Sequence, residues 1–209
     1  MDNFFTFNRV TFIGFGLINS SLARVFKSKS LAKEICAYSR RKETLLKIKD
    51  LDIADYIYDD IKKSVENSDL IILGVPVGAM TSLVKEFASS LKKGAIVTDV
   101  GSIKKSILDS ISLELPNGIH FVPGHPIAGT ENSGPEAGFE DLFKGRWCIL
   151  TPNENTSKEA IEKVEYIWQQ AGMKVTIMDA EYHDRVLAIT SHIPHLVAYS
   201  IVGTVTDLE

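Results

Sequence analysis

The chain has 209 residues, of which 44% are hydrophobic, 24% charged and 9% aromatic, a composition typical of globular proteins. Its 23 basic and 27 acidic residues give a formal net charge of −4, and no long basic tract is present, so we expect no nucleic-acid partner. No uninterrupted apolar run approaches the ~20 residues of a membrane span, and the N-terminus lacks a signal-peptide pattern. Cys36 and Cys148 lie in apolar runs, as buried thiols do in a reducing compartment, so the sequence indicates a cytoplasmic protein without a membrane partner.

Short apolar runs alternate with amphipathic segments along most of the chain. The runs are rich in Val and Ile and lack strict alternation, which is typical of strands buried on both faces of a mostly parallel sheet. Helices are predicted between them, for example over residues 78–91 and 157–171. The sequence therefore predicts an α/β fold with a doubly wound, Rossmann-like sheet. The predicted strands cover residues 10–13, 35–38, 70–75, 95–100, 120–122, 148–150 and 175–178.

The end of the chain breaks this rhythm. No strand is predicted after residue 178, and residues 186–205 form one apolar helical stretch. Pro194 is expected to kink this helix, because proline removes a backbone donor. A long apolar helix needs a surface to pack against. We therefore expect one domain over residues 1–178 and, over residues 179–209, the first helix of an all-helical domain whose remainder is absent.

A glycine-rich turn follows the first predicted strand. Gly14 permits the tight turn, and Gly16 lets the backbone approach a pyrophosphate at the N-terminus of the next helix, which Leu17 and Ile18 open. Asn19 stands at the third position of the fingerprint, where glycine is usual and mainly allows close packing of helix on strand. The turn could be purely structural, but its place in the first strand–helix unit favours dinucleotide binding by residues 1–178.

The second predicted strand ends without the acid that commonly binds the adenosine ribose of NAD. Ser39 stands there instead, and Arg40 or Arg41 could form paired hydrogen bonds with a 2′-phosphate. This pattern favours NADP over NAD, although both arginines could simply be solvated at the start of the next helix. The predicted cofactor site is completed, at the ends of later strands, by Val75, Pro76 and Gly101.

Three polar clusters carry the remaining candidate chemistry: residues 99–104, 124–134 and 191–195. The first two follow predicted strands, and ligands of such sheets bind outside the carboxyl ends of the strands. A histidine can take a proton near neutral pH, and a serine can orient a hydroxyl. Taken alone, Ser102 is as well explained as a helix cap, and His192 or His195 as a core histidine. No metal is predicted, because no ligands have the spacing of known metal motifs.

Together these segments resemble the prephenate/arogenate dehydrogenases of tyrosine biosynthesis. The resemblance runs from about residue 10 to the end of the chain. It is carried by GFGLINSSLAR at residues 14–24, TDVGSIK at 98–104, GHPIAGTENSG at 124–134, ILTP at 149–152 and HDRVLAITSHIPHLVA at 183–198. The GHPIAGTE and SHIPH segments are far more specific than the glycine turn, which many oxidoreductases share.

The resemblance implies the oxidative decarboxylation of prephenate or arogenate, a small-molecule substrate, with hydride transfer to NAD(P). The product would be 4-hydroxyphenylpyruvate or tyrosine. His125 would accept the proton of the ring hydroxyl, and Ser102 would orient that hydroxyl and His125. A positioned general base contributes on the order of 10²–10⁴-fold to the rate. The substrate side would be formed by His195, Ser191, Asp184, Thr130 and Glu131.

Two departures from the family pattern bear on activity. Asn19 replaces the usual glycine and is expected to reduce the fit of the cofactor loop. Family members also continue into a helical dimerisation domain, which supplies an arginine for the substrate carboxylate and makes a homodimer the expected assembly. Arg185 could stand in for this arginine, although it reads more readily as a surface residue. Two alternatives stay open: another Rossmann-type reductase, such as a β-hydroxyacid dehydrogenase or imine reductase, and a catalytically silent nucleotide-binding module.

Overall fold

The computed structural model describes residues 6–206, without the side chains of His192, His195, Val205 and Thr206. Six parallel strands form the main sheet in the order β3-β2-β1-β4-β5-β6, which is the Rossmann strand order. This confirms the predicted fold class. The strands are β1 (Phe7–Ile13), β2 (Ala32–Tyr38), β3 (Tyr56–Tyr58), β4 (Leu70–Leu73), β5 (Ile96–Asp99) and β6 (His120–Val122).

Helices connect these strands and cover both faces of the sheet. In β4, Leu70 and Ile72 belong to one hydrophobic core cluster, whereas Ile71 and Leu73 belong to the other. Each strand therefore needs apolar side chains on both faces, which explains the uninterrupted apolar runs in the sequence. The connecting helices are α1 (Leu17–Ser28), α2 (Lys42–Asp50), α3 (Ile61–Val65), α4 (Val77–Phe87) and α5 (Lys105–Glu114).

A second, three-stranded sheet follows the main one. It consists of β7 (Gly124–Pro126), β8 (Trp147–Leu150) and β9 (Lys174–Ile177), and α6 (Lys158–Gln170) connects the last two strands. β7 pairs antiparallel with β8, and β8 pairs parallel with β9. The sequence predicted β8 and β9 but not that they form a sheet of their own. It also missed β3 and β7, because both are three-residue strands and neither is a purely apolar run.

The chain continues from the sheets into a helical segment. Asp179 caps α7 (Ala180–Leu187) by accepting a hydrogen bond from the N–H of Tyr182 at 2.9 Å. A π-helical turn (Ala188–His192) leads into α8 (Ile193–Thr206), whose second residue is Pro194. The π-helical turn ends two residues before Pro194, whose ring nitrogen cannot donate the regular helical hydrogen bond, and the kink expected at Pro194 stays a prediction.

These three pieces run together as one helix over Ala180–Thr204. By length and composition alone it could cross a membrane, and 6% of its most apolar window is buried. The sequence analysis predicted the apolar helical stretch over residues 186–205 but did not count it as a membrane span, because serine, threonine and histidine residues interrupt it. A single helix of this kind is weak evidence for a membrane span, since apolar interface helices have the same composition.

Candidate active site

The glycine turn between β1 and α1 has the geometry of an anion-binding loop. Gly14 has φ +82°, and a Cβ there would lie 2.7 Å from Cγ1 of Val75, so no other residue fits without strain. Gly16 directly precedes α1, and a Cβ built on it meets nothing within 4 Å. The helix N-terminus is therefore open to a ligand, and its unpaired N–H groups favour a phosphate.

Asn19 takes part in this turn through its side-chain amide, although its buried Oδ1 has no hydrogen-bond partner among the described residues. The side chain is buried, and its amide Nδ2 donates to the carbonyl of Gly14 at 2.8 Å and lies 3.3 Å from the carbonyl oxygen of Ile72. The Asn19 amide thus connects the cofactor turn with β4. Packing of the helix against the strands is preserved because the neighbouring residue on the β4 side, Gly74, has no side chain.

A pocket of about 420 Å³ opens at this turn. It brings together seven of the ten residues predicted to bind the cofactor. Leu17 and Ile18 lie in the first turn of α1, and Gly101 donates its N–H to Oδ2 of Asp99 at 2.7 Å; these three do not line the pocket. The predicted residues that line it are Gly14, Gly16, Ser39, Arg40, Arg41, Val75 and Pro76.

The end of β2 forms the wall of the pocket where a ribose would bind. Oγ of Ser39 accepts a hydrogen bond from the N–H of Arg41 at 3.2 Å, and the side chains of Arg40 and Arg41 are exposed. Residues 133–135 form the opposite part of the lining, which the sequence analysis missed. The signal was present, because these residues end the polar loop that begins with His125.

A second cleft, of about 440 Å³, lies at the other end of that loop. It is lined by residues 125–130 and by Leu187 and Ser191 from the C-terminal helical segment. Three predicted site residues, His125, Thr130 and Ser191, therefore meet in one place. The loop that contributes residues 125–130 to this cleft also contributes residues 133–135 to the cofactor pocket.

Arg146 also lines this cleft, and the sequence analysis did not identify it. The residue directly precedes β8, and the antiparallel pairing of β8 with β7 brings it next to the His125 segment. No motif surrounds Arg146, so only the strand pairing could have revealed its position. Arg185, the arginine considered from sequence, is exposed on α7 and does not line the cleft.

His125 is buried on β7 and contacts a second histidine. Its Nδ1 lies 2.9 Å from Nε2 of His183, which is completely buried on α7. Nδ1 of His183 in turn lies 2.8 Å from Oδ1 of Asp184. These contacts link the base candidate to a carboxylate through one imidazole. The sequence analysis quoted His183 as part of a motif without assigning it a role.

Asp184 caps α5. Its carboxylate accepts hydrogen bonds from the N–H groups of Lys104 at 2.8 Å and Lys105 at 3.0 Å. Burial opposes ionisation of Asp184, but these bonds and the contact with His183 outweigh it and lower the pKa of the carboxyl. Ser102, considered as a cap from sequence, is exposed and makes no such bond. Asp184 therefore supports the site from behind His183.

A buried ion pair fixes the backbone next to His125. Nζ of Lys104 pairs with Oδ2 of Asp99 and donates to the carbonyl of Gly124 at 2.8 Å. Oδ1 of Asp99 accepts the N–H of Gly124 at 3.2 Å, so the pair holds both polar groups of this residue. Both side chains are completely buried. The ion pair thereby sets the start of β7.

The remaining predicted site residues lie around the cleft. Oγ1 of Thr130 accepts the N–H of Asn132 at 3.3 Å, which forms a local turn in the loop. Glu131 is exposed on the same loop and does not line the cleft. The side chain of His195 lies outside the described part of the structure.

A Rossmann sheet, a glycine turn that opens a helix N-terminus, and a buried histidine that lines a second cleft are the features of a dinucleotide-dependent dehydrogenase. Comparison with family models identifies the family. Residues 22–177 match the prephenate dehydrogenase nucleotide-binding domain, and residues 179–209 match the prephenate dehydrogenase dimerization domain. The chain belongs to the prephenate dehydrogenase family.

Individual relatives agree with this assignment. The cyclohexadienyl dehydrogenase of Zymomonas mobilis is 41% identical over 97% of this chain and 69% of its own length. The prephenate dehydrogenase of Bacillus subtilis is 33% identical over 90% of this chain, which spans only 51% of that relative. The crystal structure of prephenate dehydrogenase from Aquifex aeolicus with hydroxyphenyl propionate and NAD+ superposes with a TM-score of 0.90. It is 32% identical and covers 97% of this chain and 70% of its own.

The family assignment bears on two earlier questions. It does not favour the alternatives of another Rossmann-type reductase or a silent nucleotide-binding module. It also accounts for the apolar helix over Ala180–Thr204, since that stretch falls entirely within the match to the dimerization domain.

Proposed function

We propose that this chain catalyses the NAD(P)-dependent oxidative decarboxylation of prephenate or arogenate to 4-hydroxyphenylpyruvate or tyrosine. The observation that carries the proposal is the position of His125. It lines a cleft with Thr130, Arg146 and Ser191, and residues 133–135 of the same loop line the cofactor pocket. A base in this position can act on a substrate whose carbon faces the nicotinamide.

The residues of the cofactor pocket fit a dinucleotide. Gly14 and Gly16 leave the N-terminus of α1 open for the pyrophosphate, and residues 39–41 are in place for the adenosine ribose. When bound, the nicotinamide supplies the hydride acceptor. His125 accepts the proton of the substrate hydroxyl, which favours loss of hydride from the same carbon. The ring carboxylate leaves as CO₂, and the ring becomes aromatic.

Other residues of the cleft orient the substrate. Thr130 and Ser191 offer hydroxyl groups in the same cleft lining as His125. Ser102 does not line this cleft, and its proposed role in orienting the substrate hydroxyl rests on the sequence motif alone. Arg146 supplies a positive charge in the lining, so we propose that it binds a substrate carboxylate. His195 and Glu131 are proposed to complete the mouth of the site, and Asp184 to support it through His183.

NADP is the proposed preferred cofactor. The adenosine side of the pocket contains Ser39, Arg40 and Arg41 and no acidic residue among the residues that line it. Arginines suit a 2′-phosphate because they form paired, charge-assisted hydrogen bonds. The Aquifex aeolicus relative was crystallised with NAD+, so cofactor choice in this chain rests on its own residues.

We further propose that residues 1–178 form the dinucleotide-binding domain and that residues 179–209 belong to a helical dimerisation domain. The two family matches support a boundary near residue 178. A homodimer is supported by the exposed apolar side chains of α8, including Leu196, Tyr199 and Ile201, which are 60–77% exposed. A cytoplasmic location is supported by the free, buried thiols of Cys36 and Cys148.

The direct test follows formation of NADPH and NADH by absorbance, with prephenate and arogenate supplied separately. Cofactor titration of the same sample gives the two affinities. Turnover of either dienol supports the proposal, and 3-hydroxyisobutyrate should give none. Tight binding of NADP or NAD without turnover of either dienol would contradict the proposed activity of this chain.

A further inference from the structure

The contact between His125 and His183 is the start of a longer chain of hydrogen bonds. The two imidazole rings meet edge to face, with centroids 5.1 Å apart and planes inclined by 68°. Nδ1 of His125 and Nε2 of His183 are 2.9 Å apart, which is a hydrogen-bond distance. His183 is completely buried and does not line the cleft, so any effect on the reaction has to pass through His125.

The partners of His183 determine which nitrogen atoms carry protons. Asp184 accepts two backbone N–H groups, as an ionised carboxylate does, so Nδ1 of His183 must donate to it. In a neutral His183, Nε2 then has a lone pair and accepts. Nδ1 of His125 must therefore carry a proton and donate to His183. This places the lone pair of His125 on Nε2, the atom that would accept the substrate proton.

The electrostatic surroundings keep His183 neutral as an acceptor. Burial lowers the pKa of His183, and Asp184 offsets only part of this effect. The charge of Lys104 lowers the pKa of His183 and the charge of Asp99 raises it, and these two residues pair with each other. The Cys148 thiol on β8 stays protonated because burial raises its pKa well above the usual value. Asp184 is therefore the one carboxylate in direct contact with the His183 ring among the described residues.

We propose that His183 and Asp184 are positioning residues that hold His125 with its proton on Nδ1 and increase the basicity of its Nε2. The proposal rests on the role of His125 as the base. When His125 takes the hydroxyl proton, its imidazolium donates a stronger hydrogen bond to His183. Asp184 stabilises the added positive charge through the same chain. The net charge of the three groups changes from −1 to zero, with one proton gained from the substrate.

The tautomers can be read without substrate, from ¹⁵N spectra of the histidines in the full chain. The chain has five histidines, and single His→Gln variants assign them. We expect His125 and His183 both to carry the proton on Nδ1. His183→Leu removes the acceptor at similar volume and should lower the pKa of His125 by about one unit, as expected for loss of a hydrogen bond to a charged group. His183→Gln keeps an acceptor oxygen and should restore part of this pKa.

His183→Leu and a second variant, Asp184→Asn, should also change the pH dependence of the reaction. In kcat/KM against pH, the limb that reports deprotonation of His125 should move to lower pH in His183→Leu and Asp184→Asn, with a lower plateau. His120→Gln removes an imidazole from β6, outside this chain of contacts, and should move neither this limb nor the ¹⁵N signals of His125 and His183. A wild-type His125 with its proton on Nε2, or an unchanged His125 pKa in folded His183→Leu, would overturn the proposal. The expected tautomers with no turnover of either dienol would support this arrangement and count against the proposed function instead.

Discussion

Gly74 leaves open the space that the side chain of Asn19 occupies. A Cβ built on Gly74 would lie 2.2 Å from Nδ2 of Asn19 and 2.4 Å from its Cγ, far inside van der Waals contact. The glycine usual at the third fingerprint position is here asparagine, and residue 74 is glycine. The Asn19 side chain occupies the space that a side chain at residue 74 would need. Asn19 uses this space to bond the carbonyl of Gly14.

Gly74→Ala should therefore be destabilising and should weaken cofactor binding. Overpacking a filled site typically costs about 1–3 kcal/mol, and here it also displaces the residue that holds the glycine turn. Urea unfolding and NADP titration measure the two effects.

The coupling is tested by adding Asn19→Ala, which removes the atoms that clash. The double variant should be more stable than the sum of the two single changes implies. Gly78→Ala is the matched control, because a Cβ on Gly78 meets nothing within 4 Å. Strict additivity of the two changes would show that Asn19 and Gly74 do not share one space.

Cofactor preference should respond to the end of β2. Ser39→Asp combined with Arg40→Ala introduces a carboxylate for the ribose hydroxyls and removes a partner of the 2′-phosphate. The ratio of NADP to NAD affinity should fall by roughly tenfold or more, the size of one charge-assisted hydrogen bond. Lys42→Ala, an exposed neighbour outside the pocket lining, should leave the ratio unchanged. An unchanged ratio in the double variant would show that neither residue contacts the ribose.

His125→Asn should separate chemistry from cofactor binding. The asparagine cannot accept the hydroxyl proton, so the rate of hydride transfer should fall on the order of 10²-fold or more. NADP affinity should stay as it is, because His125 lines the other cleft. Single-turnover kinetics and cofactor titration measure the two quantities. Lost NADP binding would mean that His125 belongs to the cofactor site.

The main sheet was predictable because burial on both faces imposes uninterrupted apolar runs. The cofactor turn was also predictable, since Gly14 and Gly16 are fixed by their immediate neighbours in the chain. β3 could not be predicted, because it is a short edge strand with Tyr56 and Ile57 at least a third exposed. Elements that leave a pattern in a short stretch of sequence, such as a buried apolar run or a glycine turn, can therefore be predicted from the sequence.

The arrangement behind the cleft depends on contacts between distant segments. His183 reaches His125 across 58 residues, and Asp184 reaches the N–H of Lys104 across 80. The sequence showed each of these residues but not their partners. Ser102 was considered as the cap of α5 because it lies near the start of that helix, whereas the cap comes from α7. Tertiary contacts decided which of two possible acceptors, the Ser102 hydroxyl or the Asp184 carboxylate, caps α5.

Arg146 provides a test of substrate binding. Arg146→Gln keeps a polar side chain and removes the charge, so KM for the dienol should rise by roughly tenfold or more while kcat changes little. Arg185→Gln removes a charge from the exposed surface of α7 and should leave KM unchanged. If Arg146→Gln has the same KM as the wild-type protein, the substrate carboxylate binds elsewhere.

The ion pair between Lys104 and Asp99 should be essential to the fold of the site. Lys104→Met keeps most of the side-chain volume but leaves the buried Asp99 carboxylate without its cation, which costs roughly 3–5 kcal/mol. It also removes the donor to the carbonyl of Gly124, so His125 should lose its position in the protein that still folds. Both effects are measurable, as the free energy of unfolding and as kcat.

Two further variants make this test specific. Lys105→Met removes the adjacent lysine, whose exposed pair with Asp109 contributes little, and should leave the free energy of unfolding nearly unchanged. Adding Asp99→Asn to Lys104→Met removes the unpaired charge and should recover part of the lost stability, but not kcat. In this double variant, Gly124 would still lack its lysine donor. Recovered stability with a low kcat would therefore separate the role of the pair in stability from its role in positioning His125. Equal unfolding free energies for Lys104→Met and Lys105→Met would refute the assignment.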